Sequence, residues 1–309
     1  MLHHWLLTLT AVALPLVRFF GNGDQRKGFV GLAIICGILY AAGFLLCALG
    51  TVGYEPLEFM AEEDKEHQQS APKIPITQSI KALFSNTYWL CAAGIALFSV
   101  MGELTAISSI VQHFQYNLHN TDLMATFSLI SAVTGFAGIL TYSFLAKRFG
   151  NAGTGFIGAV IGAAGWIFRF IFADATPLVF VIGFSIGMMG SCWTSSINIL
   201  CLLDSRVYGE WKTGVDNDAI LMSGHTTASK IGMAVGPAVG AMLLDVVGFV
   251  PQAAEQNQAV KTLFLVENTL FVAVCYILVA LCCFFMMGKE KKLPQMRAEI
   301  EARKASKTI

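Results

Sequence analysis

Eight apolar runs, each about twenty residues or longer, dominate this 309-residue chain: 2–20, 28–52, 88–112, 123–146, 153–173, 177–203, 218–247 and 262–287. A helix needs about 20 apolar residues to cross about 30 Å of hydrocarbon. None of the runs alternates in the manner of a short barrel strand. Backbone N–H and C=O groups cannot be left unpaired in lipid, and a helix pairs its own. The expected fold is therefore all-α, a polytopic membrane bundle of about 8 transmembrane helices. Polar turns separate the runs, among them Gly21-Asn22-Gly23-Asp24 and Lys147-Arg148-Phe149-Gly150-Asn151.

Apolar residues make up 55% of the chain and charged residues 13%, about half the soluble norm. The formal net charge is zero, which offers no bulk attraction to nucleic acid. All eight cysteines fall within apolar runs, with no CxxC pair and no histidine spacing suited to zinc. They read as small packing residues. The first run has no basic leader and no small-x-small cleavage site, and Pro15 and Arg18 precede a glycine turn, so it is expected to be a span and not a signal peptide. The sequence contains no Walker-type, GxSxG or HExxH string. An enzyme is not expected, nor a cofactor or a bound metal.

Lys and Arg in short loops set orientation. Lys289, Lys291, Lys292, Arg297, Arg303, Lys304 and Lys307 outweigh Glu290, Glu299 and Glu301 in the tail, which places the C-terminus in the cytoplasm. An even number of spans places the N-terminus there too. Four regions are expected: 1–52 with two helices, 53–87 as a long cytoplasmic connection, 88–287 with six helices, and a basic cytoplasmic tail at 288–309. Within the connection, Ile76, Ile80, Leu83 and Phe84 share one helical face, so its end is expected to form a short interfacial helix.

One polar string stands between the last long runs: Asp204-x-x-x-Tyr208-Gly209-Glu210-Trp211-Lys212-Thr213-Gly214. It resembles a motif of the glycoside–pentoside–hexuronide:cation symporters, the melibiose-permease-like branch of the major facilitator superfamily. Leu14-Pro15-Leu16-Val17 with Phe20-Gly21, Ala146-Lys147-Arg148-Phe149-Gly150 and Gly248-Phe249-Val250-Pro251 are similar to other turns of that family, in the same order. The resemblance implies a partial major-facilitator fold, helices five to twelve of twelve. It implies that the string is the cytoplasmic loop between helices ten and eleven, and that Asp204, Tyr208, Gly209, Glu210, Trp211, Lys212 and Gly214 gate the inner mouth. The family usually continues the string with a basic residue and then a carboxylate. Here Val215-Asp216-Asn217-Asp218 puts Asp216 at the basic position.

Lys230 lies near the middle of its run, where a lysine costs about 3 kcal/mol unless it is paired or hydrated. Gly232, Gly236 and Gly240 repeat at GxxxG spacing beside it, and Pro237 interrupts the ladder, as in a close-packed helix lining a cavity. By resemblance it matches a lysine that joins sugar and cation sites. Thr226 lies one turn before it and Thr227 follows. Their hydroxyls can meet sugar hydroxyls or bond back to the helix. His225 reads as a satisfied buried histidine before a proton relay. Trp193 and Asn198 form a polar band with Thr194, Ser195 and Ser196 on the preceding run, a ring and hydrogen-bonding groups able to hold a pyranose. Glu103 lies past the middle of its run and is, with Glu267, an embedded carboxylate. Arg169 and Glu267 are expected to snorkel at the outer interface, and Gln112, His113 and Tyr116 to face the outer vestibule. The resemblance implies sugar:cation symport in the plasma membrane, with Na+ or H+ as coupling cation, the lipid bilayer as surroundings, and a monomer at full length. The alternative is a non-transporting remnant or accessory membrane protein.

Overall fold

The structure is a computed structural model and describes residues 16–17, 19–22, 24–51, 76–120, 123–172, 177–214, 218–251 and 253–307. Leu14, Pro15, Gly23, most of the 2–20 run, most of the 53–87 connection and Val215 to Asn217 lie outside the described residues. Every regular element described is helical: α1 Gln25–Thr51, α2 Ile76–Ser85, α3 Thr87–Gln112, α4 Leu123–Ile171, α5 Pro177–Thr213, α6 Asp218–Val246, α7 Gln258–Asn268, α8 Leu270–Glu290 and α9 Leu293–Lys307. A π-helical turn, His113–Asn117, extends α3. Among these residues six helices are long and apolar enough to cross a membrane.

The chain divides into two compact units, one spanning 9–78 and the other taking in everything from Ser79 onward. In the first, α1 is apolar on every side. Phe29, Ile34, Ile38, Leu45 and Leu49 are all exposed. A helix with no polar face is suited to hydrocarbon or to a buried position.

The second unit packs around α3, whose buried face carries Tyr88, Ala92, Ile95, Ala96, Ser99, Gly102 and Thr105. Its start is fixed by Asn86, whose side chain accepts from Trp89 N as an N-cap. Sequence spacing predicts two helices at 123–146 and 153–173, and both are present as the two limbs of α4, which meet at Gly150, where the backbone leaves the helical region at φ 76 and ψ 178. Its 49 residues would reach about 74 Å if straight, more than twice the hydrocarbon core. The two limbs instead fold back. Gly138 on the first faces Cys192, and Gly158 on the second faces Trp193, so residues far apart in sequence meet the same turn of α5. Gly150 permits this because a positive φ costs little without a Cβ.

The core runs through Ile95, Ala159, Trp166, Phe184, Ile197, Cys201, Tyr276, Val279 and Cys283. On the outside, Val133, Phe136, Leu140 and Phe144 form an exposed stripe on α4, and Val274, Ile277, Leu281, Phe284 and Phe285 another on α8. Stripes of this size are foreign to a water-facing surface and suit lipid.

The tail is not a solvated strand of charges. Leu293, Met296 and Ile300 of α9 are buried against the bundle, at spacings of three and four that make one helical face. Arg169 and Glu267 do not snorkel: they are 2% and 3% exposed. Arg169 donates to the Asn268 carbonyl at 3.3 Å and lies 4.3 Å over the Phe180 ring. The aromatic side chains Trp166, Phe180 and Phe184 enclose the guanidinium and hold it inside. His113 and Tyr116, expected to face a vestibule, are likewise buried. His113 stacks on Phe180 and Tyr116 on Phe264.

Candidate functional site

Helix α6 buries Leu221, His225, Gly232, Gly236 and Gly240. These glycines let it press on α3 and α7: a Cβ at Gly236 would meet Met101 Cγ at 3.0 Å, and one at Gly240 would meet Glu267 Oε1 at 2.9 Å. Lys230 stands two residues before Gly232, about 200° around the helix. It therefore lies away from α3, and it is exposed within this unit. Thr226 and Thr227 are exposed beside it. Their hydroxyls donate to the Met222 and Ser223 carbonyls at 2.9 and 2.8 Å, which satisfies the donors and leaves oxygen lone pairs toward the open side.

His225 joins this helix to α5 through a 2.8 Å hydrogen bond between Nε2 and Asn198 Oδ1. Asn198 is thus brought to the Thr226–Lys230 helix. Trp193 is not. Its ring is 9% exposed, and its Nε1–H donates to the Gly138 carbonyl at 3.1 Å and to Thr141 Oγ1 at 3.0 Å. The indole therefore fastens α5 to the first limb of α4.

The Tyr208–Gly214 string, expected as a loop, is the last part of helix α5, which runs unbroken to Thr213. The helix stops at Gly214, φ 72, whose N–H donates to the Glu210 carbonyl at 2.8 Å. A left-handed glycine closing a helix this way is a common stop. Tyr, Glu, Trp and Lys are all acceptable in a helix, so the polar string extends it beyond the apolar run. Gly209 has a packing reason: a Cβ there would meet Asn86 Nδ2 at 2.9 Å, and that nitrogen donates to the Ser205 carbonyl at 2.9 Å.

Around this helix end, side chains form a clasp. Glu210 pairs with Lys304 at 2.7 Å. Trp211 Nε1 donates to Glu299 Oε2 at 2.6 Å, and Arg303 donates to the Trp211 carbonyl at 2.9 Å. Lys212 donates to the Ser85 carbonyl at 2.8 Å. Lys289 lies 5.4 Å over the Tyr208 ring, within cation–π range. Asp204, 8% exposed, pairs with Arg297 at 3.4 Å and accepts from Asn151 Nδ2 at 3.5 Å. Asp218 pairs with Arg206 at 3.2 Å.

Glu290 is a residue that sequence reasoning passed over as a tail charge. Its two carboxylate oxygens accept from Asn151 N at 2.6 Å and Ala152 N at 3.0 Å. It caps the second limb of α4, where the free N–H groups and the helix dipole favour a negative charge. Asn151, Asp204, Glu290, Leu293, Pro294 and Arg297 surround an open pocket of about 280 Å³ there. Nothing local in the sequence marks Glu290, because its partners are 138 and 139 residues away. Two missed features did have local signals. An asparagine just before an apolar run marks the Asn86 cap, and the apolar spacing of Leu293, Met296 and Ile300 marks α9.

Among the described residues no group of three His, Cys, Asp or Glu is placed to hold a metal ion. A bundle of membrane-length helices has the architecture of a multi-pass membrane protein. Residues 5–287 match the MFS/sugar transport protein family, and the chain belongs to that family. It is 27% identical over 300 residues to an isoprimeverose transporter of Lactiplantibacillus pentosus, covering 96% of this chain and 60% of that protein. It is 29% identical over 294 residues to a putative sulfoquinovose importer of Salmonella typhimurium, covering 94% and 58%. It is 23% identical over 305 residues to a putative glycoside/cation symporter of Escherichia coli, covering 97% and 62%. The chain thus spans about three fifths of the length of these curated relatives.

Proposed function

We propose that the chain forms the greater part of a secondary active transporter that carries a glycoside, pentoside or hexuronide together with Na+ or H+ across the plasma membrane. The observation that carries this reading is Lys230: a mid-depth lysine, exposed within its unit, sharing a helix face with Thr226. Such a group is costly beside lipid and suited to a hydrated crevice. Lys230 donates to sugar hydroxyls or to an anionic substituent. Thr226 and Thr227 accept from sugar hydroxyls with the lone pairs their own bonds leave free. Asn198, held by His225, completes the polar wall, and Trp193 fixes the helix that carries it. The names of the relatives agree: a transporter of isoprimeverose and a putative glycoside/cation symporter. Asp204, Tyr208, Gly209, Glu210, Trp211, Lys212 and Gly214 act at the mouth, where pairs such as Glu210 with Lys304 can open and re-form as the carrier rocks. That end is the cytoplasmic one, with both termini inside and the assembled carrier a monomer.

The test is uptake in energised membrane vesicles, using a panel of labelled glycosides, pentosides and hexuronides with and without sodium. Saturable, gradient-driven uptake of one class supports the reading; no uptake of any class under either gradient overturns it.

A further inference from the structure

Glu103 sits on α3 at mid-depth and is half-buried. Its Oε1 accepts from Tyr276 Oη on α8 at 2.9 Å and from Ser195 Oγ on α5 at 3.3 Å. Tyr276 itself is fully buried. Three helices therefore converge on one carboxylate. Among the described residues no Lys, Arg or His lies within ion-pair distance of it. Among the described residues, two thiols stand close by. From α5 the Cys192 thiol lies in its field, and from α8 Cys275 packs on the adjacent Gly102. On α6, Gly232 faces Leu97 and Gly236 faces Met101, which places Lys230 about 12 Å nearer the clasp end along the axis and His225 further still. From α7, Glu267 lies toward the other end, beside Gly240.

A carboxylate at this depth, with no cation beside it among the described residues, is costly when ionised. Two hydroxyl donors offset part of that cost by hydrogen-bonding the charged form. They also suit the neutral form, whose carbonyl oxygen keeps both donors while the new O–H turns to water. A sodium ion is poorly served here: it needs several oxygens, and of the four side-chain oxygens present the Tyr276 and Ser195 hydroxyls already direct their protons at Glu103 Oε1.

We propose that Glu103, with Tyr276 and Ser195 as its donors, is a proton-binding site built wholly from helices after residue 87. The step is a reversible proton transfer from solvent hydronium to the carboxylate, giving a neutral carboxyl and water. Its role in symport rests on the transporter reading above; its existence does not.

Infrared difference spectroscopy on the purified chain in liposomes, stepped in pH without sugar, tests the site. One component of the carboxylic C=O stretch should grow as pH falls and be missing from E103Q. In Y276F, which loses one hydrogen bond to that oxygen, the stretch should move to higher frequency. The proposal is overturned by wild-type and E103Q difference spectra that coincide in the carboxylic region at every pH, or by sodium erasing the Glu103 component at fixed pH. In vesicles E103Q should retain sugar exchange at equilibrium while proton-driven accumulation falls at least tenfold. Unchanged accumulation, or loss of exchange in protein that still gives the wild-type circular dichroism, overturns the coupling role. Failure of the wild type to exchange any sugar would sink the transporter reading alone, since the infrared result stands without it.

Discussion

Lys230 was legible from its own surroundings. A lysine amid glycines at the centre of an apolar run calls for a reason, and the structure leaves it exposed on the side of α6 away from α3. On the proposed sugar-binding role of Lys230, Lys230→Ala removes a charged donor worth about 1.5–3 kcal/mol, so uptake should fall about tenfold to a hundredfold. The amount of protein in the membrane fraction should not change. Trp193 shows the opposite case. From sequence it reads as a stacking platform, because nothing nearby reveals that its N–H is taken by Gly138 and Thr141, 55 and 52 residues earlier. Trp193→Phe keeps the apolar ring and loses those donations. The expected cost is about 1 kcal/mol, read as a lower melting temperature, with the half-saturating sugar concentration unchanged. A large rise in that concentration at unaltered stability would restore the stacking role.

At the scale of elements, the apolar runs located the helices well and their ends poorly. Hydropathy reports where lipid is and says nothing of where a helix stops, so α5 continues through the polar string to Gly214, whereas the polar turn expected at 147–151 does hold Gly150, where the two limbs of α4 meet. The turn is held by Glu290, a contact between distant segments that no local pattern encodes. Glu290→Ala leaves Asn151 and Ala152 N–H groups without their acceptor and should destabilise the protein by about 1–2 kcal/mol. Limited proteolysis should then cut near Gly150 sooner than in the wild type. The clasp mixes strong and weak links. Arg297 is 60% exposed in its pair with Asp204, and a pair so open to water is worth about 0–1 kcal/mol. Trp211→Phe removes the short bond to Glu299, which is shielded further inside, and should loosen α9 more than Arg297→Gln does. Hydrogen exchange of the α9 amides orders the two variants.

At the scale of the molecule, the long axis decides which ends can face which compartment. Helices α7 and α8 together form a span from Gln258 to Glu290, 33 residues, about 50 Å from end to end. That exceeds the hydrocarbon core, so Glu255 just before it and Lys291 just after it must lie on opposite sides of the membrane. Both are exposed. Lys289, Lys291, Lys292 and Arg297 cluster at one end, and basic loops stay cytoplasmic. In intact cells a membrane-impermeant maleimide should therefore label Glu255→Cys and leave Lys291→Cys untouched until the cells are opened. The eight native cysteines lie in apolar runs, so they should contribute little background. The reverse labelling pattern would invert the bundle. It would place the clasp of Glu210, Trp211 and α9 at the outer mouth and end its assignment to the cytoplasmic side.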